Sequence, residues 1–500
     1  MTHQKLFPWL ALLWLILLLP DLGAHYSFGW DSSQFDRAVT EFDIARHQPH
    51  PPGYPLWIVA LRGLTPLAGN PNRAQVVLAL LFSMAALWFF RDLARDLMGD
   101  RAGLSATVLL AFSPVVCLNA SSSQVYAVDL FASCFAAWLT KELWSGRTQL
   151  VAPGLAVVAL AAGFRPSNLA FLLPLLCLGV WQCFRRKPAH AAGGVLIGVI
   201  CWLGWLVPTA LVTGGLRTLA ALNDAQMSSS FQKSSVFFGA PPIVHARMTV
   251  EVSIYFAVAL SGFALPVAWR LRTRLIGGAE AHAGTHPVWA TPAFFLLWLA
   301  PNLALLYLFH CSQPGYLMLS LPPLALLLAW LARSALGNGL GWTTAGLATA
   351  LLAGYFPYER LVNPTVNTLP FVLLRATPRI SRIIEQSQND IRKLIDALPG
   401  QAGEKLVFCF CRRFEAPNIR TVTYDFSDVA WADPGGRETR VFHSKGSPQP
   451  LQEPFPFRSV AWVCAGTEPP ESLRAQYPQV RRIAGNNLYS FWTSSPGAAR

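Results

Sequence analysis

Residues 30–55 read WDSSQFDRAVTEFDIARHQPHPPGYP, placing four acids, Asp31, Asp36, Glu41 and Asp43, ahead of the turn His50-Pro51-Pro52-Gly53-Tyr54-Pro55. A carboxylate held at a membrane surface can take the proton of a hydroxyl acceptor, and a Pro-Pro-Gly turn restricts where its neighbours point. Asp31, directly after Trp30, is the candidate general base; the competing assignment is the cap of a helix starting at 32–35. Asp36 and Asp43 fit an amphipathic surface helix, with Asp36 paired to Arg37 or Arg46. For both, and for Glu41, a solvated face is expected. His50 and His47 flank the turn, where a neutral imidazole orients an acceptor or meets a phosphate, or simply holds the turn.

Arg165, in GFRPSN, is the next residue that asks for a reason, because it falls at the outer end of an apolar run. Its planar fork suits a phosphate leaving group, and the alternative is a side chain snorkelling to headgroups. Tyr54, Gln124, Tyr126, Asp129, His310, Gln313 and Tyr316 all fall near the same ends of predicted helices and are expected to line one cavity. Residues 223–238, NDAQMSSSFQKSSVFF, polar and then aromatic, read either as a mobile substrate-gating loop or as an ordinary connecting loop.

The elements that must position these residues follow from composition. Of 500 residues, 53% are hydrophobic and 13% charged, and apolar runs of bilayer length recur. Eleven spans are read, at 6–22, 74–90, 104–118, 126–139, 150–162, 167–181, 191–212, 248–269, 291–309, 316–331 and 340–356. The first has the Lys5 start of a signal peptide but no small-residue cleavage site, so it counts as a permanent helix. Residues 54–67 are assigned to an interfacial or re-entrant helix. Only then do the Arg-rich loops at 91–95, 141–147, 185–187 and 270–274 share the cytoplasmic side with Lys5. The acid loop, residues 213–247 and the tail from 357 then lie outside. These loops, with lipid headgroups, account for the net charge of +13 without nucleic acid.

The chain is therefore expected to be mainly α, a transmembrane bundle over 1–356 whose first outer loop, 24–67, holds the chemistry. A small extracytoplasmic α/β domain over 357–500 follows. Strands are predicted at 405–411, 420–425 and 459–464, helices at 380–398 and 471–477, and loops over 433–456. Six of nine cysteines lie in or beside spans as inert apolar groups, while Cys464 with Cys409 or Cys411 is a possible disulfide. No metal-ligand spacing is found, and no cofactor is assigned, with metal dependence left open.

The segments WDSSQF and PHPPGYPLW resemble the first outer loop of GT-C type membrane glycosyltransferases, whose pattern is WDSGEF followed by PHPPGYPL. That superfamily includes protein O-mannosyltransferases and the aminoarabinose transferases of lipid A. AFSPVVCLNASSSQVYAVDLF and YLMLSLPP extend the likeness more loosely. The resemblance implies an irregular helical bundle in the inner membrane that moves a sugar from a polyprenyl-phosphate donor to a hydroxyl of a protein or glycolipid on the outer face. It matches Asp31 as the acid; joined to the residue readings above, Asp31 and Arg165 are the expected reacting pair, with Ser32, Gln34, His50, Tyr54, Gln124, Tyr126, Asp129, His310 and Tyr316 around the substrates. Two departures stand out: Gln34 and Gln124 replace the pattern's glutamates, and an amide neither takes a proton nor binds metal as a carboxylate does. A catalytically altered relative that only binds lipid, or a transporter, is the alternative.

Overall fold

The structure, a computed structural model, describes residues 3–18, 26–277, 289–337, 340–355, 372–373, 375–398, 400–401, 404–409, 429–433, 440–442, 449–450, 457–463, 471–477, 479–482 and 490–493. It is mostly helical. The helices are α1 His3–Leu18, α2 Trp30–Thr40, α3 Pro55–Ala68, α4 Pro71–Met98, α5 Asp100–Ala111, α6 Pro114–Ser121, α7 Ala127–Trp144, α8 Val151–Phe164 and α9 Ser167–Arg186. They continue with α10 Pro188–Val212, α11 Leu216–Gln232, α12 Pro242–Ala259, α13 Ser261–Gly277, α14 Pro292–Ala304, α15 Leu321–Leu331, α16 Arg333–Gly337, α17 Leu340–Tyr355, α18 Arg379–Ala397 and α19 Glu471–Gln476.

Within the described residues, each apolar run read from sequence falls on one helix or on consecutive helices. Proline opens α3, α4, α6, α10, α12 and α14, where its missing N–H costs nothing. Among the described residues, four helical segments are long and apolar enough to cross a membrane, or six if two bent pairs each count as one. Helix α3, at 14 residues, falls short of that length.

The bends were not anticipated. The pair α5–α6 turns by 60° and α12–α13 by 79°. They meet, since Ser113 Oγ donates to the Ala259 carbonyl at 2.7 Å, satisfying a group that the second break frees. Close packing elsewhere depends on small residues: a Cβ at Gly179 of α9 would stand 3.0 Å from Thr140 Cα on α7.

The expected loop at 223–238 is a correction. Residues up to Gln232 belong to α11, and a short turn Val236–Phe238 follows.

In the C-terminal part, seven strands, β1 Lys405–Cys409, β2 Ala430–Asp433, β3 Arg440–Phe442, β4 Gln449–Pro450, β5 Ser459–Val463, β6 Gln479–Arg482 and β7 Ser490–Thr493, form one sheet in the order β4-β3-β2-β1-β5-β7-β6. Strand β1 runs parallel to β2 and β5, and the other pairs are antiparallel. Strands β3 and β4 overturn the reading of 433–456 as loops only, because their short runs are too brief for a periodic signal. The predicted strand at 420–425 and the side chains of Cys409, Cys411 and Cys464 lie outside the described residues.

Candidate functional site

Helix α2 starts at Trp30, with extended Gly29 as its N-cap and the Gly29 carbonyl accepting from Ser33 N at 3.1 Å. Asp31 thus sits in the first turn and is not the cap, which corrects the capping assignment. Its charge there is favoured by the helix dipole. Ser32 and Gln34 are fully buried. Ser32 Oγ bonds the Ser123 carbonyl, and Phe28 N donates to Ser123 Oγ at 3.1 Å, tying the loop to the end of α6.

Gln34 is occupied by the turn. Its Oε1 accepts the backbone N–H of His50 and the ring Nδ1–H, both at 2.8 Å. A backbone N–H can only donate, so it fixes the amide orientation and the Nδ1–H tautomer. Nε2 of His50 then accepts from the Tyr54 hydroxyl at 2.9 Å. Burial lowers the His50 pKa from its ordinary imidazole value, against the opposing pull of Asp31, whose Oδ1 is 3.9 Å from Nδ1. The ring is therefore neutral at pH 7. Tyr54 is held at φ 49°, a left-handed conformation uncommon outside glycine, with its ring 5.0 Å from that of Phe35. His47, also left-handed, ends the short turn Ile44–Arg46 and does not line the cavity described below.

Asp36 overturns the solvated-face expectation. Its carboxylate accepts from Ser27 Oγ at 2.8 Å and Gln75 Nε2 at 2.6 Å, and burial, outweighing both bonds, raises its pKa to about 6. Arg46 instead pairs with Glu41 and Asp43 at the exposed edge. Asp43 also caps the Ile44 turn, accepting from Ala45 N and Arg46 N.

Arg165 follows α8 and is only 6% exposed, which does not fit a side chain reaching for headgroups. Its Nε lies 2.8 Å from Asp129 Oδ1 on α7, and no other carboxylate among the described residues pairs with it. Its Cζ stands 4.2 Å from the Tyr126 ring centroid and 5.7 Å from that of Tyr316. The planar cation thus lies within cation–π range of both rings, the Tyr126 contact being the shorter. Gln313 joins this group to the acid loop. Its Nε2 donates to Asp31 Oδ2 at 3.2 Å and also contacts the Tyr126 hydroxyl.

A cavity of about 390 Å³ is lined by His50, Tyr54, Asp129, Arg165, His310 and Tyr316 among others, with Asn223, Gln226, Ser230 and Phe231 of α11 on another wall. His310 is fixed by Ser234 Oγ at 2.9 Å. Six of the residues singled out from sequence therefore share one space, and Asp31 and Tyr126 stand in contact with its lining. Ser32 and Gln34 do not line it, Gln34 reaching it only through His50, and Gln124 borders a separate small cleft with Gln313 and Arg375. The segment 223–238 was singled out as a loop and supplies a wall of the cavity as helix α11, while sequence reasoning missed Asn302 in the lining and Asn168, whose backbone N–H donates to the Arg165 carbonyl at 3.1 Å. A polar Asn168 inside an apolar run, three residues after Arg165, was the available signal. Among the described residues, no group of three His, Cys, Asp or Glu side chains has metal-ligand spacing.

This bent, irregular helical bundle has the GT-C-type, ArnT-like fold. The particular likeness is to the crystal structure of ArnT from Cupriavidus metallidurans bound to undecaprenyl phosphate. The TM-score is 0.59 at 12% identity, covering 99% of this chain and 98% of that one. The same protein in the apo state gives 0.53 at 12% identity, covering 98% of each. In sequence, 339 residues are 27% identical to undecaprenyl phosphate-alpha-4-amino-4-deoxy-L-arabinose arabinosyl transferase 1 of Pseudomonas fluorescens, 64% of this chain. The match spans 58% of that relative's length. No family model matches the chain.

Proposed function

We propose that this protein is a membrane glycosyltransferase that moves a sugar from a polyprenyl-phosphate donor to a hydroxyl acceptor on a protein or glycolipid. The observation that supports it is the contact series Asp31, Gln313, Tyr126, Arg165 at the edge of one cavity. In this reading Asp31 is the base and Arg165 the cation for the phosphate, linked through Gln313 and Tyr126 beside a space of substrate size. The named relatives, which act on or hold undecaprenyl-phosphate compounds, fit the same donor class. They give no support to the mannosyltransferase branch of the resemblance.

In this reading the acceptor hydroxyl gives its proton to Asp31 as its oxygen attacks the anomeric carbon. The bond from that carbon to the phosphate oxygen breaks with its electron pair, inverting the centre. Arg165 meets the charge growing on the phosphate. Asp129 is ion-paired on the Nε side of Arg165, and the Nη donors are the ones assigned to the leaving group. Neutral His50, locked between Gln34 and Tyr54, lines the cavity as a fixed polar wall. The chain then sits in the inner membrane with its N-terminus cytoplasmic. The site and residues 357–500, a separate α/β domain, lie on the extracytoplasmic side.

Asp31→Asn keeps size and removes basicity, so turnover should fall by about 10² or more while binding of a non-transferable donor analogue stays within a few-fold. Undiminished turnover would end the base assignment. An absence of transfer by the wild type, with donor analogue still bound, would favour a lipid-binding or transport role.

A further inference from the structure

Helix α9 presents a second face that the transfer reading does not use. There, α8, α9 and α10 enclose an apolar groove of about 630 Å³, lined by Leu155, Leu173, Trp181, Phe184, Val199 and Trp202. Along α9 it runs from Leu169 to Phe184, roughly 22 Å at 1.5 Å per residue, comparable to an extended acyl chain. The Arg165 cavity is lined by a different face of the same helix, through Ser167, Ala170 and Phe171.

The groove ends at charge. Phe184 is followed by Arg185, Arg186 and Lys187, all exposed, and none has an ion-pair partner among the described residues. The nearby carboxylates are committed: Asp92 and Asp96 to Lys141 and Arg95, Glu142 to Lys141 and Arg147. Trp181 and Phe184 stack at 6.3 Å one turn from these cations, the depth at which aromatic residues meet headgroups. Arg165 lies at the other end of α9, about a bilayer thickness away.

We infer that this groove binds an anionic diacyl phospholipid of the leaflet opposite the Arg165 cavity. Its acyl chains lie against Trp181, Phe184 and Trp202, and its phosphate lies at Arg185, Arg186 and Lys187. The unpaired cations select the occupant: a neutral lipid would leave them without a partner, and a second copy docked by symmetry would bring like charges together. The site is independent of the transfer reading and survives its failure.

Native mass spectrometry of the full chain with equimolar phosphatidylglycerol and phosphatidylcholine tests it. The wild type should retain phosphatidylglycerol preferentially, and Arg185→Gln or Arg186→Gln should each cut that preference by about fivefold. Val199→Trp, which fills the groove and keeps the charges, should reduce retention of both lipids. An unchanged preference in both Gln variants, or full retention by Val199→Trp, would overturn the site. So would displacement of phosphatidylglycerol by a sugar-free polyprenyl phosphate that persists in Arg165→Ala, because the groove would then belong to the carrier.

Discussion

Gln313 donates to Asp31 at 3.2 Å across 282 residues of chain, and the same nitrogen touches the Tyr126 hydroxyl next to Arg165. One amide therefore braces the acid loop against the aromatic wall of the cation. The two proposed reacting groups, Asp31 and Arg165, are linked through a residue between α14 and α15, far along the chain from both.

Gln313→Leu removes a hydrogen bond to a carboxylate, the kind of bond that contributes about 1.5–3 kcal/mol. A tenfold or larger fall in kcat should follow, with the KM for donor changed little. In an Asp31→Asn background the same change should do almost nothing further, because the amide acts through the carboxylate. Additive losses in the double variant would make Gln313 a general packing residue.

The Arg165–Asp129 pair separates stability from binding. Asp129→Asn leaves a buried cation uncompensated and should cost about 3–5 kcal/mol in thermal or denaturant unfolding. Joint replacement, Arg165→Met with Asp129→Leu, should recover most of that loss and still abolish donor-analogue binding. Arg165→Lys, which keeps charge and loses the fork, should weaken analogue binding about tenfold. Full binding by the Lys form would show that only charge matters there.

Asp36 sets a pH dependence whose sign is definite. Its folded value, about 6, lies above the unfolded 3.8, so its contribution to stability is present below pH 3.8 and lost as pH rises through 6. Asp36→Asn should therefore unfold at higher temperature than the wild type at pH 7–8, by up to about 3 kcal/mol. The gap should close on acidification below pH 4. A gap that does not vary with pH would mean the carboxylate is not buried as an acid.

The helical scaffold was legible because apolar runs and helix-opening prolines are local signals, and so were the polar residues at the ends of those runs. The bends at Ser113 and Leu260 were not, since both interrupt stretches that stay apolar in composition and are stabilised by a bond between them. Asp36 looked like a surface acid because its partner Gln75 is 39 residues away on another helix. Gln34 read as a lost carboxylate, whereas in the fold its amide oxygen collects two donors from His50. Which side chain an isolated polar residue meets is decided by packing between segments, and one sequence does not display that.

The 282-residue separation between Asp31 and Gln313 also matters during synthesis. Most of the polypeptide must be made and inserted before the brace exists, so a nascent or prematurely terminated chain holds the acid loop without the partner that positions it. On the proposed function, ribosome-stalled or truncated products ending before residue 313 should be inert toward lipid-linked sugar.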